Sequence, residues 1–323
     1  MNKRKLVSVC TLLALIFSFS ACAKSGSADK DNNTSASTAG EWNGQVPTLT
    51  GSGKDIKLNF PDTAAPSDLQ VWVQEEGSGK EVASTDFVVA RYVGQVWGND
   101  QAFDSSFSRG VPTGFSLGGV IQGWTQGLTG QKVGTSLIIS IPPDLGYGSS
   151  GQQNAGIGGT DVIDFYIEIV DAYSLDQAGQ ADATMKASVD ELSVEIKGDL
   201  GAAPELSIKS GAEEPAKLET IVIAEGSGEP VSDVQGTSVV VQYSMTYWDG
   251  SNQETTYGQR GPQSIPIQGT AISGLAGIPV GSRVLILCPS SDRSAQNTTQ
   301  RTPAYALVVD ILGQIPAEKV DNR

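Results

Sequence analysis

The sequence predicts an α+β fold, a curved antiparallel sheet wrapped on one short helix, present as two tandem copies. Three observations lead there. Apolar and polar residues alternate with period two over residues 69–74, 87–96, 136–141 and 162–172, and β-branched and aromatic side chains crowd those runs, as pleated strands require. Only residues 120–128, short and flanked by glycines, suit a helix between the second and third runs. A second set of related signals follows the first.

That repeat sets the boundaries. Pro66, Leu69, Val73, Glu76, Gly77, Ser78, Gly79 and Val82 recur in order as Pro215, Leu218, Val222, Glu225, Gly226, Ser227, Gly228 and Val231. Val88, Val89 and Tyr92 recur as Val239, Val240 and Tyr243. The tract 127–134 recurs as 274–281, and Ile169-Val170-Asp171 as Val308-Val309-Asp310. Two copies of one fold account for this order. The expected division is a signal peptide at 1–21, a polar tether at 22–45, a first domain at 46–173 with its core at 67–173, a connector at 174–203, a second domain at 204–314 and a tail at 315–323. Residues 47–60 and 204–208 open the two copies in similar fashion.

At the N-terminus, Lys3, Arg4 and Lys5 precede an apolar run from Leu6 and the small residues Ser20 and Ala21. This is the layout of an export signal, and the run is short for a permanent span of a ~30 Å hydrocarbon core. Phe19-Ser20-Ala21-Cys22 resembles the bacterial lipobox, which implies acylation of Cys22 and a lipid anchor outside the cytoplasm, on the bacterial cell membrane. Residues 24–40, rich in Ser, Ala, Asn, Asp and Thr, suit a flexible tether. Lipoprotein processing adds more than one acyl chain, as firm anchoring requires.

The formal net charge of −15 sets 36 acidic residues against 21 basic ones. Such a chain is repelled by phosphate backbones and anionic headgroups, so nucleic acid is excluded as a partner class. Of the three cysteines, Cys10 leaves with the signal and Cys22 takes the lipid; Cys288, in the apolar run VLILCP, reads as a buried strand thiol. No disulfide is expected, and no metal or cofactor.

Within the first copy the elements follow in order. After the strands at 69–74 and 87–96 comes a stretch, 103–147, in which Phe103, Phe115, Val120, Ile121, Trp124 and Tyr147 stand in short clusters between glycines, with Asp104 among them. The helix at 120–128 lies inside it. The strand at 136–141 ends at Pro142-Pro143, because proline lacks the ladder donor. A glycine-rich loop, 146–159, leads into the last strand. The chain has no histidine, and this stretch no cysteine. Its chemistry must come from shape, desolvation and hydrogen bonding.

The motifs Val89-x-x-Tyr92-x-Gly94, Ala102-Phe103-Asp104-Ser105-Ser106, Val120-Ile121-x-Gly123-Trp124-x-x-Gly127-Leu128 and Ile141-Pro142-Pro143-x-x-x-Tyr147-Gly148 occur in that order. Over residues 67–173 the chain resembles the FKBP-type peptidyl-prolyl cis/trans isomerases. The resemblance implies a pocket between sheet and helix, with Trp124 as its floor and Tyr92, Phe103, Phe115, Val120, Ile121 and Phe165 around it. It also implies that Ile157 closes the loop side, that Asp104 faces the prolyl amide with Arg109 beside it, and that Tyr147 offers its hydroxyl. Proline-containing exported polypeptides are the implied substrates, and the family's macrolide inhibitors the implied ligands. Thr113, Gln152, Gly158-Gly159 and a residue missing before Val120 depart from the family pattern, which bears on rate, substrate preference and drug affinity.

The physical case stands beside the resemblance. Amide resonance makes X–Pro rotation slow, ~10–100 s uncatalysed. Twisting the amide breaks that resonance and reduces its dipole, so a dry aromatic pocket favours the twisted form over the planar one without acid, base or nucleophile. Lowering the barrier by about 5 kcal/mol accelerates turnover roughly 10⁴-fold. Taken singly, Trp124 reads as core, Tyr147 as packing and Asp104 as a turn former; their joint spacing gives them another role.

The second copy retains Tyr243 but has Gln253 and Glu254 near the places of Phe103 and Asp104, a shorter helix region, no tryptophan there, and a loop after Pro289 without Pro-Pro or tyrosine. It is expected to be inert and to serve scaffolding, client contact or spacing. In the connector, residues 182–192 could form a short helix with Met185, Val189 and Leu192 on one face. Two classes of function remain: an extracytoplasmic foldase, and a non-catalytic surface module that holds proline-containing segments or envelope partners.

Overall fold

The computed structural model describes residue 42, residues 45–295 and residues 298–317. The expected signal peptide, most of the tether, Cys22 and the end of the tail lie outside the described residues. Trp42, which the sequence reading assigns to the tether, is already buried against the first sheet.

A hairpin of β1 (Thr48–Thr50) and β2 (Lys57–Asn59) precedes that sheet. The sheet itself contains β3 (Gln70–Glu75), β4 (Phe87–Val96), β5 (Ala102–Ser105), β6 (Thr113–Ser116), β7 (Ser136–Ile141) and β8 (Ile163–Tyr173). Its antiparallel order is β3-β7-β8-β4-β5, with β6 pairing β4 beyond the end of β5. A one-turn helix α1 (Ser106–Arg109) follows β5, and α2 (Gln122–Leu128) lies between β6 and β7. The four strands and the helix stand where alternation places them. β5, β6 and α1 were not foreseen, because four-residue elements are too short to display a period.

Both faces of the first sheet are covered. On the concave face Trp124 and Leu128 of α2 pack on Leu137, Ile139, Ile141, Phe165 and Ile167. The helix presses close because it turns glycines toward β7: a Cβ on Gly123 would lie 2.4 Å from Ile141, and one on Gly127 2.6 Å from Ile139. On the convex face Trp42 and Leu58 pack on Val93, Phe107, Ile138 and Tyr166. There the Gln95 side chain accepts from Leu58 N at 2.6 Å and donates to Leu58 O at 3.1 Å, clamping the hairpin to β4. With both faces covered, β4 and β7 are buried along almost their whole length, polar residues such as Gln95 and Ser140 included.

The rest of the described chain builds a second sheet of the same strand order. The connector supplies β9 (Thr184–Met185) and β10 (Val194–Lys197), which forms a hairpin with β11 (Glu205–Ile208) at the start of the expected second domain. Next come β12 (Glu219–Glu225), β13 (Ser238–Tyr247), β14 (Gln253–Thr255), β15 (Gln263–Pro266) and β16 (Arg283–Cys288). A hairpin of β17 (Ser291–Ala295) and β18 (Thr298–Thr302) leads to β19 (Tyr305–Ile315). The order is β9-β12-β16-β19-β13-β14, with β15 on β13. Val194 and Leu206 of the second hairpin cover its outer face, against Leu285, Leu287 and Val308. Cys288 is fully buried in β16 and forms no disulfide.

The structure departs from the sequence expectation at two places. Gly134 N donates to Ile169 O and Ile169 N to Thr135 O, while Gly281 N donates to Ile311 O and Ile311 N to Ser282 O. Ile169 therefore corresponds to Ile311, and the sequence match of Ile169-Val170-Asp171 to Val308-Val309-Asp310 is out of register. Nor is 182–192 an α-helix. Thr184 and Met185 pair with β12, Lys186 N donates to Ile223 O, and a single 3₁₀ turn follows at Val189–Glu191. The edge of β12 satisfies that backbone, so helical bonds are not needed.

The connector is fastened to the second sheet. Gly179 N donates to Asp310 Oδ2 at 2.9 Å, and Gln242 Nε2 donates to Gln177 O at 2.7 Å. Asp310 is in turn paired with Arg283 at 2.8 Å, both side chains buried. The two sheets meet directly: Phe87, Val89 and Tyr173 of the first pack with Val240, Leu312 and Ile315 of the second.

Candidate active site

Between α2 and the concave face of the first sheet lies a hollow of about 690 Å³. It is lined by Tyr92, Phe103, Asp104, Phe115, Gly119, Val120, Ile121, Trp124, Tyr147, Ala155 and Phe165. Trp124, almost fully buried, is the hub of the aromatic set. Its ring centroid is 5.2 Å from those of Phe115 and Phe165 and 5.5 Å from Tyr92, all edge-on. Phe103 meets Phe165 edge-on at 5.5 Å. Edge-to-face contact suits rings whose faces are negative and rims positive, so the set is rigid as well as apolar.

Each wall has a local cause. Phe103 projects from a bulge, since Gly94 pairs Asp104 while Gln95 pairs Ala102; the extra residue re-aims its side chain. Gly94 makes the room: a Cβ there would stand 2.6 Å from Phe165 Cε1 and 2.7 Å from Phe103. Ser105 caps α1 by accepting from Ser108 N at 3.1 Å, and Ser106 Oγ accepts from Tyr92 N at 2.7 Å. These bonds hold β5 against β4.

The polar groups cluster at one side. Asp104 accepts from the Tyr92 hydroxyl and from Arg109. Arg109 Nη2 donates to the Tyr92 oxygen at 2.8 Å and to Thr113 Oγ1 at 3.3 Å, and the guanidinium sits 5.6 Å from the Tyr92 ring centroid. Burial, then the Asp104 bond, pushes the Tyr92 phenol up to about 12. Tyr147 stands on the rim, 37% exposed. Its hydroxyl has no protein partner among the described residues, and burial, then the Asp104 charge, raises it.

Most of the residues singled out in the sequence therefore converge on one hollow. Two do not line it. Arg109 stands behind Asp104, and Ile157 is buried in the core at 3% exposure, tied through its backbone to Gln152; Ala155 takes the loop side instead. Gly94, Gly119 and Ala155 were not picked out as site residues, because small residues carry no chemical signal of their own. For Gly94 its place between Tyr92 and the strand end was the available clue.

The same register in the second sheet gives a different interior. Tyr243 donates to Glu254 at 2.7 Å and Glu254 pairs with Arg260, repeating the phenol, carboxylate and guanidinium. Met245, buried at 7% exposure, pairs Glu254 as Gly94 pairs Asp104, and Leu307 lies opposite it as Phe165 lies opposite Gly94. Matching Gly274-Leu275 to Gly127-Leu128 places Ala271 at the position of Trp124, in a 3₁₀ turn (Ala271–Leu275) instead of α2. Among the described residues no group of three or more His, Cys, Asp or Glu is gathered to hold a metal, and no helix is long and apolar enough to cross a membrane.

A sequence profile of the family described as FKBP-type peptidyl-prolyl cis-trans isomerase matches residues 79–170. The FK506-binding protein of Streptomyces anulatus is 34% identical over 116 residues, which cover 35% of this chain and 94% of that protein. The chain belongs to the FKBP-type peptidyl-prolyl isomerase family. FkpA of Buchnera aphidicola is 39% identical over 108 residues, 33% of this chain and 42% of that protein. A crystal structure of FkpA from Escherichia coli matches with 38% identity and a TM-score of 0.31, over 33% of this chain and 48% of that one. The chain thus spans under half the length of these longer FKBP relatives. The profile match stops at residue 170, within β8, so the hollow lies inside the FKBP part and the second sheet outside it.

Proposed function

We propose that the hollow of the first sheet isomerises X–Pro bonds in exported polypeptides. The observation that carries this reading is an open aromatic hollow floored by Trp124, with its hydrogen-bonding groups gathered at one side. A prolyl ring seated on the indole loses water, and the imide loses the solvent that stabilises its planar, dipolar form. The twisted imide, less dipolar, loses less. On this reading the Tyr147 hydroxyl and the Ile121 backbone N–H hold the substrate carbonyls, and Asp104, bound by Tyr92 and Arg109, sets the polar wall. Each group supplies a hydrogen bond or a shape, and none needs to transfer a proton.

A protease-coupled assay on an X–Pro peptide tests this. The wild type should exceed the spontaneous rate by orders of magnitude, Tyr147→Phe should lose about tenfold or less, and Asp104→Ala more than Tyr147→Phe because it also frees Tyr92 and Arg109. A wild type at the spontaneous rate leaves only a binding module.

The second sheet is read as a degenerate copy of the same fold, inert in isomerisation. Its matching strand order supports the first part, and Met245 and Ala271 at the places of Gly94 and Trp124 support the second. FKBP macrolides are the expected inhibitors. Lipid at Cys22 would tether the protein to the outer side of the cell membrane; Cys22→Ala should shift it from the membrane fraction to the soluble one, and an unchanged distribution argues against the anchor.

A further inference from the structure

The face of β6 turned away from the hollow is backed by the second sheet. Among the described residues β6 pairs only with β4, over four residue pairs from Phe87↔Ser116 to Ala90↔Thr113. Phe115 points into the hollow, while a Cβ on its neighbour Gly114 would meet the Phe87 ring at 2.4 Å and Ile315 Cδ1 at 3.6 Å. Phe87 is itself covered by the second sheet, in one apolar cluster with Val240, Leu312 and Ile315. On the opposite side of that contact a Cβ on Gly313 would lie 1.9 Å from the Tyr173 hydroxyl. Gly313 is thus a second-sheet glycine where Tyr173 of the first sheet approaches, whereas Gly114 makes room for Phe87 of its own sheet and meets Ile315 at ordinary contact distance.

We propose that the second sheet buttresses the prolyl pocket: Ile315 and Leu312 are positioning residues that hold Phe87, and through it β6 and the Phe115 wall, at a fixed distance from Trp124. A short edge strand bonded on one side is a weak wall, and close-packed interiors pass displacement on to their neighbours. Removing side-chain volume behind Phe87 leaves space into which β6 relaxes, and a shift of about 1 Å in a pocket wall is enough to cost turnover. This gives the second sheet a task that needs no hollow of its own. The inference rests on the isomerase reading, but its test does not depend on that reading alone.

The test uses the full chain with Ile315→Ala, the conservative Ile315→Val, and Ile196→Ala in the hairpin on the far face of the second sheet as control. Two quantities are read at a temperature where circular dichroism shows each variant folded: kcat/KM on a prolyl peptide, and the indole N–H resonance of Trp124, assigned with Trp124→Phe. Phe115 stands 5.2 Å from that indole, so its ring current reports the wall. Ile315→Ala should lower kcat/KM about three- to tenfold and move the Trp124 resonance while that of Trp72 stays. Ile315→Val should stay within about twofold of wild type, and Ile196→Ala should change neither quantity. Wild-type values for both in Ile315→Ala overturn the proposal, as does an equal loss in Ile196→Ala, which would make the effect one of general stability. Should Ile315→Ala fail to fold, Ile315→Val and Leu312→Val decide: a graded move of the Trp124 resonance supports the buttress, and an unmoved one overturns it. A wild type without turnover sinks the isomerase reading, and the resonance then judges the buttress by itself.

Discussion

Placing one methyl group on Gly94 should close the pocket from inside. Its Cβ would stand 2.6 Å from Phe165 Cε1 and 2.7 Å from Phe103 Cζ, against an optimum of about 3.5–4.0 Å between carbons. The two rings must therefore retreat by about 1 Å. Both are walls of the hollow, and Phe165 is also edge-on to Trp124, so the retreat narrows the prolyl site and tilts its floor. Overpacking of this kind costs about 1–3 kcal/mol of stability, and a 1 Å misplacement at a site costs about 10²-fold in rate. Gly94→Ala is thus expected to lose roughly 10²-fold in kcat/KM, and Gly94→Met, which installs the residue of the second sheet, to lose all measurable turnover. The assay is protease-coupled isomerisation with denaturant melts alongside. If Gly94→Ala keeps kcat/KM within about threefold of wild type with unchanged stability, the packing argument for the hollow is wrong.

Other expected outcomes can be checked with the same protein. Asp164 is fully buried in β8, neither of its oxygens is in hydrogen-bond alignment, and burial raises its pKa well above the usual range, opposed only by the nearby Ser140 hydroxyl. A raised carboxyl binds its proton more tightly folded than unfolded, so stability falls as pH rises from about 4 through the folded pKa and is level above it. Asp164→Asn should therefore be more stable than wild type at pH 7 by urea melts and show a flatter pH dependence; equal midpoints at pH 7 contradict this. Asp310→Ala strands the buried Arg283 and releases Gly179, and should cost about 3–5 kcal/mol in a denaturant melt; a loss under about 1 kcal/mol refutes the clamp. Tyr243→Phe and Glu254→Gln should leave prolyl turnover unchanged, and a drop in kcat/KM would place chemistry in the second sheet.

Long strands rich in β-branched and aromatic residues were legible, and short ones were not. β4 and β7 stand at the expected residues because β-branched and aromatic side chains crowd them, although burial on both faces leaves few of their residues exposed. The aromatic members of the hollow were likewise readable, since Tyr92, Phe103, Trp124 and Tyr147 belong to motifs whose order survives in the chain. Gly94, Gly119 and Ala155 contribute by being small, which no residue-type argument detects. Ile157 was misplaced because an apolar residue in a loop reads the same whether it lines a cavity or plugs the core. The stretch 182–192 has apolar residues at helical spacing, yet an available strand edge captures it. The offset in β19 has a similar origin: a short apolar match repeats easily along a strand, whereas the bulge that fixes register is invisible in residue types. Nothing in the sequence reported the contact of Ile315 with the back of the Phe115 wall.

The most direct test of the account is the pH profile of kcat/KM for an X–Pro peptide, from about pH 5.5 to 8.5. The chain has no histidine, and the Tyr92 and Tyr147 phenols are both raised away from that window. If the hollow works by drying and shaping the imide, the profile is flat and lies far above the spontaneous rate throughout. A bell or a step within the window that persists in Asp164→Asn, which removes the one buried carboxyl raised above its usual range among the described residues, would reveal a proton in flight and contradict the mechanism, and turnover at the spontaneous rate would contradict the function.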